Sequence, residues 1–249
     1  MQIDALAQLM AMHPEVDVLS QALSRKRYKH FLLSGLYASA QAIILSTLHR
    51  KLASSASAPL MIIVIDDNDA AQYMYADIKT LIDERDVYFF PCSHRRRQKT
   101  DEALTVQRTE VLTALLGAKT HQQIIVTTPE ALAESVPNPQ VLEKNKISLS
   151  VGEEIPISML TEMLLNLEFK RVDFVYEPGQ FAVRGGIVDV YSFAHDIPVR
   201  IDFFGDEIDS IREFELESQL SKNKVDSVEV VGGQSDENAA TNILAYLPQ

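Results

Sequence analysis

Residues 177–221 read EPGQFAVRGGIVDVYSFAHDIPVRIDFFGDEIDSIREFELESQLS. QFAVR, GIVDVYSF, VRIDFF and EIDSIREFEL are four short strand signals in a row, and RVDFVY at 171–176 is a fifth just upstream. EPG (177–179), RGG (184–186) and FGDE (204–207) punctuate them. Turns this short leave no room for crossover helices, so the strands should pair antiparallel in hairpins. With a helix expected over 156–167, this part of the chain reads as a small α+β domain with an antiparallel sheet.

The first half follows another rhythm. A helical stretch precedes a strand at 30–34, and a helix over 37–52 follows, with Ile44, Leu48 and Leu52 on one face. Strand LMIIVI (60–65) is next, then a helix capped by Asp69 and running to about Glu84. Strand VYFF (87–90) leads through a polar loop to a helix over 101–117. Strand QIIVTT (123–128) and a short helix from Pro129 close the series. Strands alternating with helices imply βαβ units and a parallel sheet, and the nearly continuous apolar strands suit one covered on both faces. SVPNPQ (135–140) reads as a linker. The expected division is residues 1–136, 137–222 and 223–249, the last being the start of a return to the α/β domain, cut short.

Residues 34–42, SGLYASAQA, stand between strand and helix, where a phosphate-binding loop is spelled G-x-x-x-x-G-K-[ST]. Gly35 fits the first position, but Ala40, Gln41 and Ala42 occupy the other three. Gln41 brings no charge to a phosphate, Ala42 no hydroxyl to Mg²⁺, and Ala40 adds a Cβ where backbone must approach. ATP hydrolysis here is not expected, and an ordinary strand-to-helix turn has the same spelling. Asp66-Asp67 imitates a metal-binding strand end, and without lysine and hydroxyl opposite it reads as a strand end and helix start.

Charge narrows the partners. The chain has 249 residues, 46% of them apolar, and a net charge of −12. Residues 1–150 are neutral, with 16 Lys/Arg against 16 Asp/Glu, whereas 151–249 carry 7 against 19. An acidic second half repels DNA phosphates and suits a basic protein partner. His94-Arg95-Arg96-Arg97-Gln98-Lys99 is the one basic run, either a solvated loop or a nucleic-acid contact. No Ser/His/Asp set or metal-ligand spacing is legible, and the lone Cys92 excludes a disulfide framework within the chain. The N-terminus lacks a secretory pattern, and the longest apolar run, Leu60 to Ile65, falls far short of the roughly 20 residues of a membrane span. A cytoplasmic protein with no membrane partner is expected.

The 177–221 stretch closely resembles the UvrB-like module of bacterial transcription-repair coupling factors. The shared pattern is G-x-[FY]-x-x-R-G-[GA], an apolar-Asp-apolar-aromatic strand, Pro followed closely by Arg, D/E-F-F-x-D-E-I-x-S-[IL]-R-x-F-[DE], and S-Q. HPEVDVLSQAL, the SGLYASAQA turn, FFP, QRTEVLTALL and IIVTTPEAL extend the resemblance upstream in order. It implies a degenerate, helicase-like and UvrB-like α/β domain of the P-loop kind. The chain departs from UvrB itself at Gln41 and Ala42. It also departs between FFP and QRTEVL, where UvrB's aromatic-rich DNA-clamping hairpin has no room.

The resemblance implies recruitment in nucleotide excision repair, with UvrA bound by the β-rich second domain. It places the partner-binding arginines on Arg184 and Arg200 and the aromatic on Phe204, with Arg171 a weaker candidate. Arg and aromatic side chains suit interface hot spots. The residues themselves leave another reading open. In that reading Arg184 pairs internally with Asp173, Asp189 or Asp202, Arg200 also pairs internally, and Phe204 lies in the core with Phe203 on the opposite face. RNA polymerase and DNA are implied only as partners of other domains of such a factor. ATP and Mg²⁺ are implied only for its separate translocase, so no cofactor is expected here. The rival reading is an ATP-dependent UvrB-like helicase fragment contacting damaged DNA.

Overall fold

The computed structural model of the chain describes residues 8–25, 30–53, 59–82, 86–93, 102–117, 123–233 and 241–247. Residues 1–92 with 117–132 form one compact unit, and 93–116 with 133–249 form a second. The basic run 94–99 lies outside the described residues.

In the first unit stand α1 (Pro14–Ser24), α2 (Ala40–Ala53), β1 (Met61–Val64), α3 (Asn68–Lys79), β2 (Val87–Phe90) and β3 (Ile124–Thr127). The three strands form a parallel sheet in the order β1-β3-β2, with Ile63 and Phe89 both in register with Val126. Ile124 and Val126 of the central strand are fully buried, packed with Ile63, Ile78, Val87 and Phe89. This is the crossover arrangement that alternating strands and helices require.

Two local expectations are corrected. Residues 30–34 form no strand: Leu32 is almost wholly exposed, Phe31 and Leu33 are exposed too, and among the described residues β1 pairs only with β3. An apolar run becomes a strand only where another strand lies alongside in a ladder. Asp67, not Asp69, caps α3, its Oδ1 accepting from the Ala70 amide at 2.9 Å. Asp69 falls in the first turn, where its charge favours the positive helix end.

The second unit contains α4 (Glu102–Leu116), and α5 (Pro129–Ala133) lies at the junction in sequence. Then come α6 (Pro139–Lys144), β4 (Lys146–Ser150), α7 (Ile157–Asn166), β5 (Lys170–Arg171), β6 (Gln180–Arg184) and β7 (Ile187–Tyr191). β8 (Val199–Phe204), β9 (Glu207–Phe214), β10 (Ser221–Val225), β11 (Ser227–Val231) and a 3-10 turn (Ile243–Tyr246) complete it. Six strands run in the order β10-β9-β8-β7-β6-β5, all pairs antiparallel except β5–β6. β4 and β11 form a separate antiparallel ribbon.

Alternation along the strands sends Phe181, Val188, Val190, Val199 and Ile201 to one face. There they pack with Leu160 and Leu164 of α7 and with Ile147, Leu149, Val228 and Val230 of the ribbon. Leu160 and Leu164 are fully buried, so truncating either to alanine costs about 2–5 kcal/mol.

Here too the sequence reading is refined. Asn138 caps α6 within the expected linker, and Pro139 opens that helix. RVDFVY contributes only Arg171 to a strand, and the remainder is loop. The division expected at 222/223 falls inside β10, and residues 227–231 pair back onto β4. No helix among the described residues is long and apolar enough to cross a membrane.

Candidate partner-binding surface

On the opposite face of the six-stranded sheet one row runs through Ala182, Asp189, Arg200, Arg212 and Lys224, paired strand to strand. Arg184, Tyr191, Asp202 and Phe214 share this outer face by alternation. All seven lysines and arginines of residues 151–249 lie on the sheet's strands: Lys170 and Arg171 on β5, Arg184 on β6, Arg200 on β8, Arg212 on β9, Lys222 and Lys224 on β10. The acidic stretch 151–249 thus carries all its cations on this one sheet.

Asp189 is the pivot. It is fully buried although it belongs to the outer face. Arg200 donates to it in a fork, Nε to Oδ1 at 2.7 Å and Nη2 to Oδ2 at 2.9 Å. Its Nη1 donates to the Gln219 carbonyl at 3.2 Å, and the guanidinium lies 4.9 Å from the centre of the Phe214 ring. Gln219 has φ 57°, a left-handed backbone, and its Nε2 donates to the Leu216 carbonyl. The S-Q motif therefore folds back to seat Arg200. The hydrogen bond to Asp189 raises the Arg200 guanidinium above its ordinary pKa, against the burial that lowers it. Its side chain is 16% exposed.

Arg184 also donates to Asp189 Oδ2, but from the edge, and its side chain is 35% exposed. Its Nη1 donates to the Asp173 carbonyl at 3.1 Å, and it lies 4.9 Å from the centre of the Phe174 ring. Arg171, Val172, Asp173, Phe174, Val183 and Arg184 line an open cleft at this edge of the sheet.

Phe204 and Phe203 part company as alternation requires. Phe203 packs against the core, and Phe204 is 82% exposed. An irregularity in the β8–β9 register between Asp202 and Phe203 precedes it, and its cross-strand partner is Glu207. Arg184 pairs with Ile187, and Ile187 with Asp202, two residues before Phe204, so Arg184 and Phe204 belong to the same end of the sheet.

The structure thus brings Arg184 and Arg200 together on one internal carboxylate, joins Arg171 to the same cleft, and leaves Phe204 outside. The Asp189 pivot stood in the sequence only as one of three possible internal partners. A lone acid inside the apolar strand IVDVY was its signal. Phe174 and Tyr176 fall in RVDFVY, whose strand-like spelling gives no sign of a loop with exposed aromatics.

The loop at 34–42 is built differently. Gly35 has φ 78°, and no atom lies within 4 Å of where a Cβ would stand. The Ala40 amide donates to the Tyr37 carbonyl and the Ile43 amide to the Ser39 carbonyl, so the loop's own backbone takes up amides of this helix start. Gln41 is exposed, whereas Ala42 is fully buried in the apolar core of the first unit.

Residues 147–235 match the family described as UvrB interaction domain. The transcription-repair-coupling factor of Bacillus subtilis (strain 168) is 30% identical over 205 residues, 81% of this chain and 17% of that protein. Its namesakes in Staphylococcus haemolyticus (28% over 206 residues, 82% and 17%) and Staphylococcus aureus strain USA300 (27% over 192 residues, 76% and 16%) are similar too. The chain belongs to the transcription-repair coupling factors, as their UvrB-like N-terminal module. It spans 17% or less of the length of these relatives. Every residue of the outer-face cluster lies inside the span that matches the UvrB interaction domain.

Proposed function

We propose that this chain is a non-catalytic recruitment module of transcription-coupled nucleotide excision repair, binding UvrA through the outer face of its six-stranded sheet. One observation carries the reading. The acidic half places all its cations on that sheet, with Arg184 and Phe204 reaching solvent at one end. A partly exposed guanidinium beside an exposed aromatic is a common composition for an interface hot spot. Arg171 adds charge at the cleft, and Arg200 acts beneath them by holding Asp189.

The first unit is a degenerate P-loop-like scaffold in this reading. Burial of Ala42 among apolar side chains supports it, since a metal-binding hydroxyl has to face the nucleotide. ATP-driven translocation, and contact with RNA polymerase and DNA, belong to other parts of such a factor, and the setting is the cytoplasm.

The test is calorimetric titration of the 249-residue chain with purified UvrA, beside Phe204→Ala and Arg184→Ala. Both variants are expected to melt close to the parent and to bind at least about thirtyfold more weakly, a hot-spot loss of about 2 kcal/mol. No binding by the parent overturns the reading.

A further inference from the structure

The loop between β5 and β6, residues 172–179, is where this surface carries more than its motifs account for. Phe174 is 51% exposed and Tyr176 is 59% exposed. Neither is left loose on the backbone. Gln180 Oε1 accepts from the amides of Tyr176, at 2.9 Å, and Glu177, while Gln180 Nε2 donates to Glu177. At the loop's end Gly179 has φ 79°, and a Cβ there would meet the Phe193 ring at 2.8 Å, so the backbone tolerates no side chain. A rigid loop thus holds two large aromatics in water beside an arginine.

Phe174 has a definite geometric relation to that arginine. Its ring centre lies 4.9 Å from the Arg184 guanidinium carbon, within cation–π range. Asp189 does not need Arg184 for neutralisation, because Arg200 holds both of its oxygens. Arg184 is therefore the arginine that can turn to a new carboxylate without stranding a buried charge. Phe174 and the Asp173 carbonyl keep it at the mouth of the cleft. Arg171 lines the same cleft, so the lining carries two arginines and one acid, Asp173.

We propose that Phe174 is a positioning residue for Arg184, holding it at the cleft to take a carboxylate from the partner, and that Tyr176 adds an aromatic rim to the contact. This rests on the recruitment reading and names the chemistry of its occupant: an acidic protein segment with apolar neighbours. Charge complementarity at the cleft and continuity with Arg184 favour that occupant.

The experiment is calorimetric titration with UvrA of the full 249-residue chain and of Phe174→Leu, Phe174→Tyr and Tyr176→Ala, each repeated on an Arg184→Ala background. Phe174→Leu keeps an apolar side chain and removes the ring. It should weaken binding about fivefold, whereas Phe174→Tyr should bind within about twofold of the parent. On the Arg184→Ala background Phe174→Leu should have no further effect. Tyr176→Ala should weaken binding about threefold on either background. Parent-like binding by Phe174→Leu, or an equal loss with and without Arg184, overturns the positioning role while leaving recruitment intact. Parent-like binding by Tyr176→Ala overturns the rim. Failure of the unaltered chain to bind overturns recruitment and this inference together.

Discussion

The loop at 34–42 and the outer face of the six-stranded sheet both occupy positions where folds often present polar groups to ligands, yet they handle burial in opposite ways. In the loop, the position that would carry a metal-binding hydroxyl is Ala42, sealed in an apolar core, and amides of the helix start turn to the loop's own carbonyls. On the sheet, a carboxylate is buried completely and two arginines are spent on it. Burying a charge is costly unless it is paired and hydrogen-bonded. Asp189 meets that condition through Arg200 alone, which leaves Arg184 for another task. One region buries a small apolar side chain among others, and the other buries a charge and pairs it.

The harshest way to break this comparison is Arg200→Glu. It removes the fork from Asp189 and puts a like charge beside it. The expected cost is about 3–5 kcal/mol, read from urea denaturation at neutral pH. A variant as stable as the parent would mean Asp189 does not depend on Arg200, and the two arginines would then be equivalent. The same consideration makes Arg200→Glu a poor probe of binding, because lost affinity would follow from lost structure.

Writing the phosphate-loop spelling into the loop, Gln41→Lys with Ala42→Thr, probes the other region. Threonine at a fully buried alanine overpacks the core and buries a hydroxyl, at a cost of about 1–3 kcal/mol. ATP with Mg²⁺ should leave the melting temperature of this variant unchanged. A nucleotide-dependent rise would show that the loop can hold a nucleotide once those two side chains are present.

A smaller effect comes from His195, in the β7–β8 connection of the second unit. Its Nε2 is buried without a hydrogen-bond partner. Burial lowers its pKa below the ordinary histidine value, while a hydrogen bond with the Glu229 backbone and the charges of Glu229, Glu213 and Asp196 push upward. With the folded pKa below the unfolded one, the unfolded chain binds the proton more readily. His195 therefore contributes its stability in full above about pH 6.5 and loses it as pH falls through the folded value. Between pH 7.5 and 5.5 the parent should lose more stability than His195→Gln. Equal losses would show that this histidine is not held neutral by the fold.

What the sequence revealed follows the same divide between local and distant causes. VYFF at 87–90 is a strand with the bounds expected of it, because a buried parallel strand is apolar throughout and needs no particular partner. VRIDFF is legible as a strand, and its alternation places Phe203 inside and Phe204 outside. HFLL has the same apolar texture as VYFF and fails, since a strand also requires a neighbour, and that information lies elsewhere in the chain. KISLS and SVEVV, which form the β4–β11 ribbon, are separated by 76 residues and carry weak local signals. The motif points to both Arg184 and Arg200, but which of them reaches Asp189 with two nitrogens depends on register, and the strand pairing puts Arg200 opposite Asp189.

Arg184→Ala sharpens the comparison at its fine end. The arginine is a third exposed, its ion pair with Asp189 is one of two, and a partly solvated pair contributes little. Removing it should change stability by less than about 1 kcal/mol, because the Arg200 fork keeps Asp189 paired. The contrast with Arg200→Glu is then several-fold for two arginines sharing one carboxylate, measured by the same urea titration. A loss from Arg184→Ala as large as that from Arg200→Glu would mean Asp189 needs both arginines. The surface would then have no cation to spare for a partner, and the outer face would be a structural network as closed as the core around Ala42.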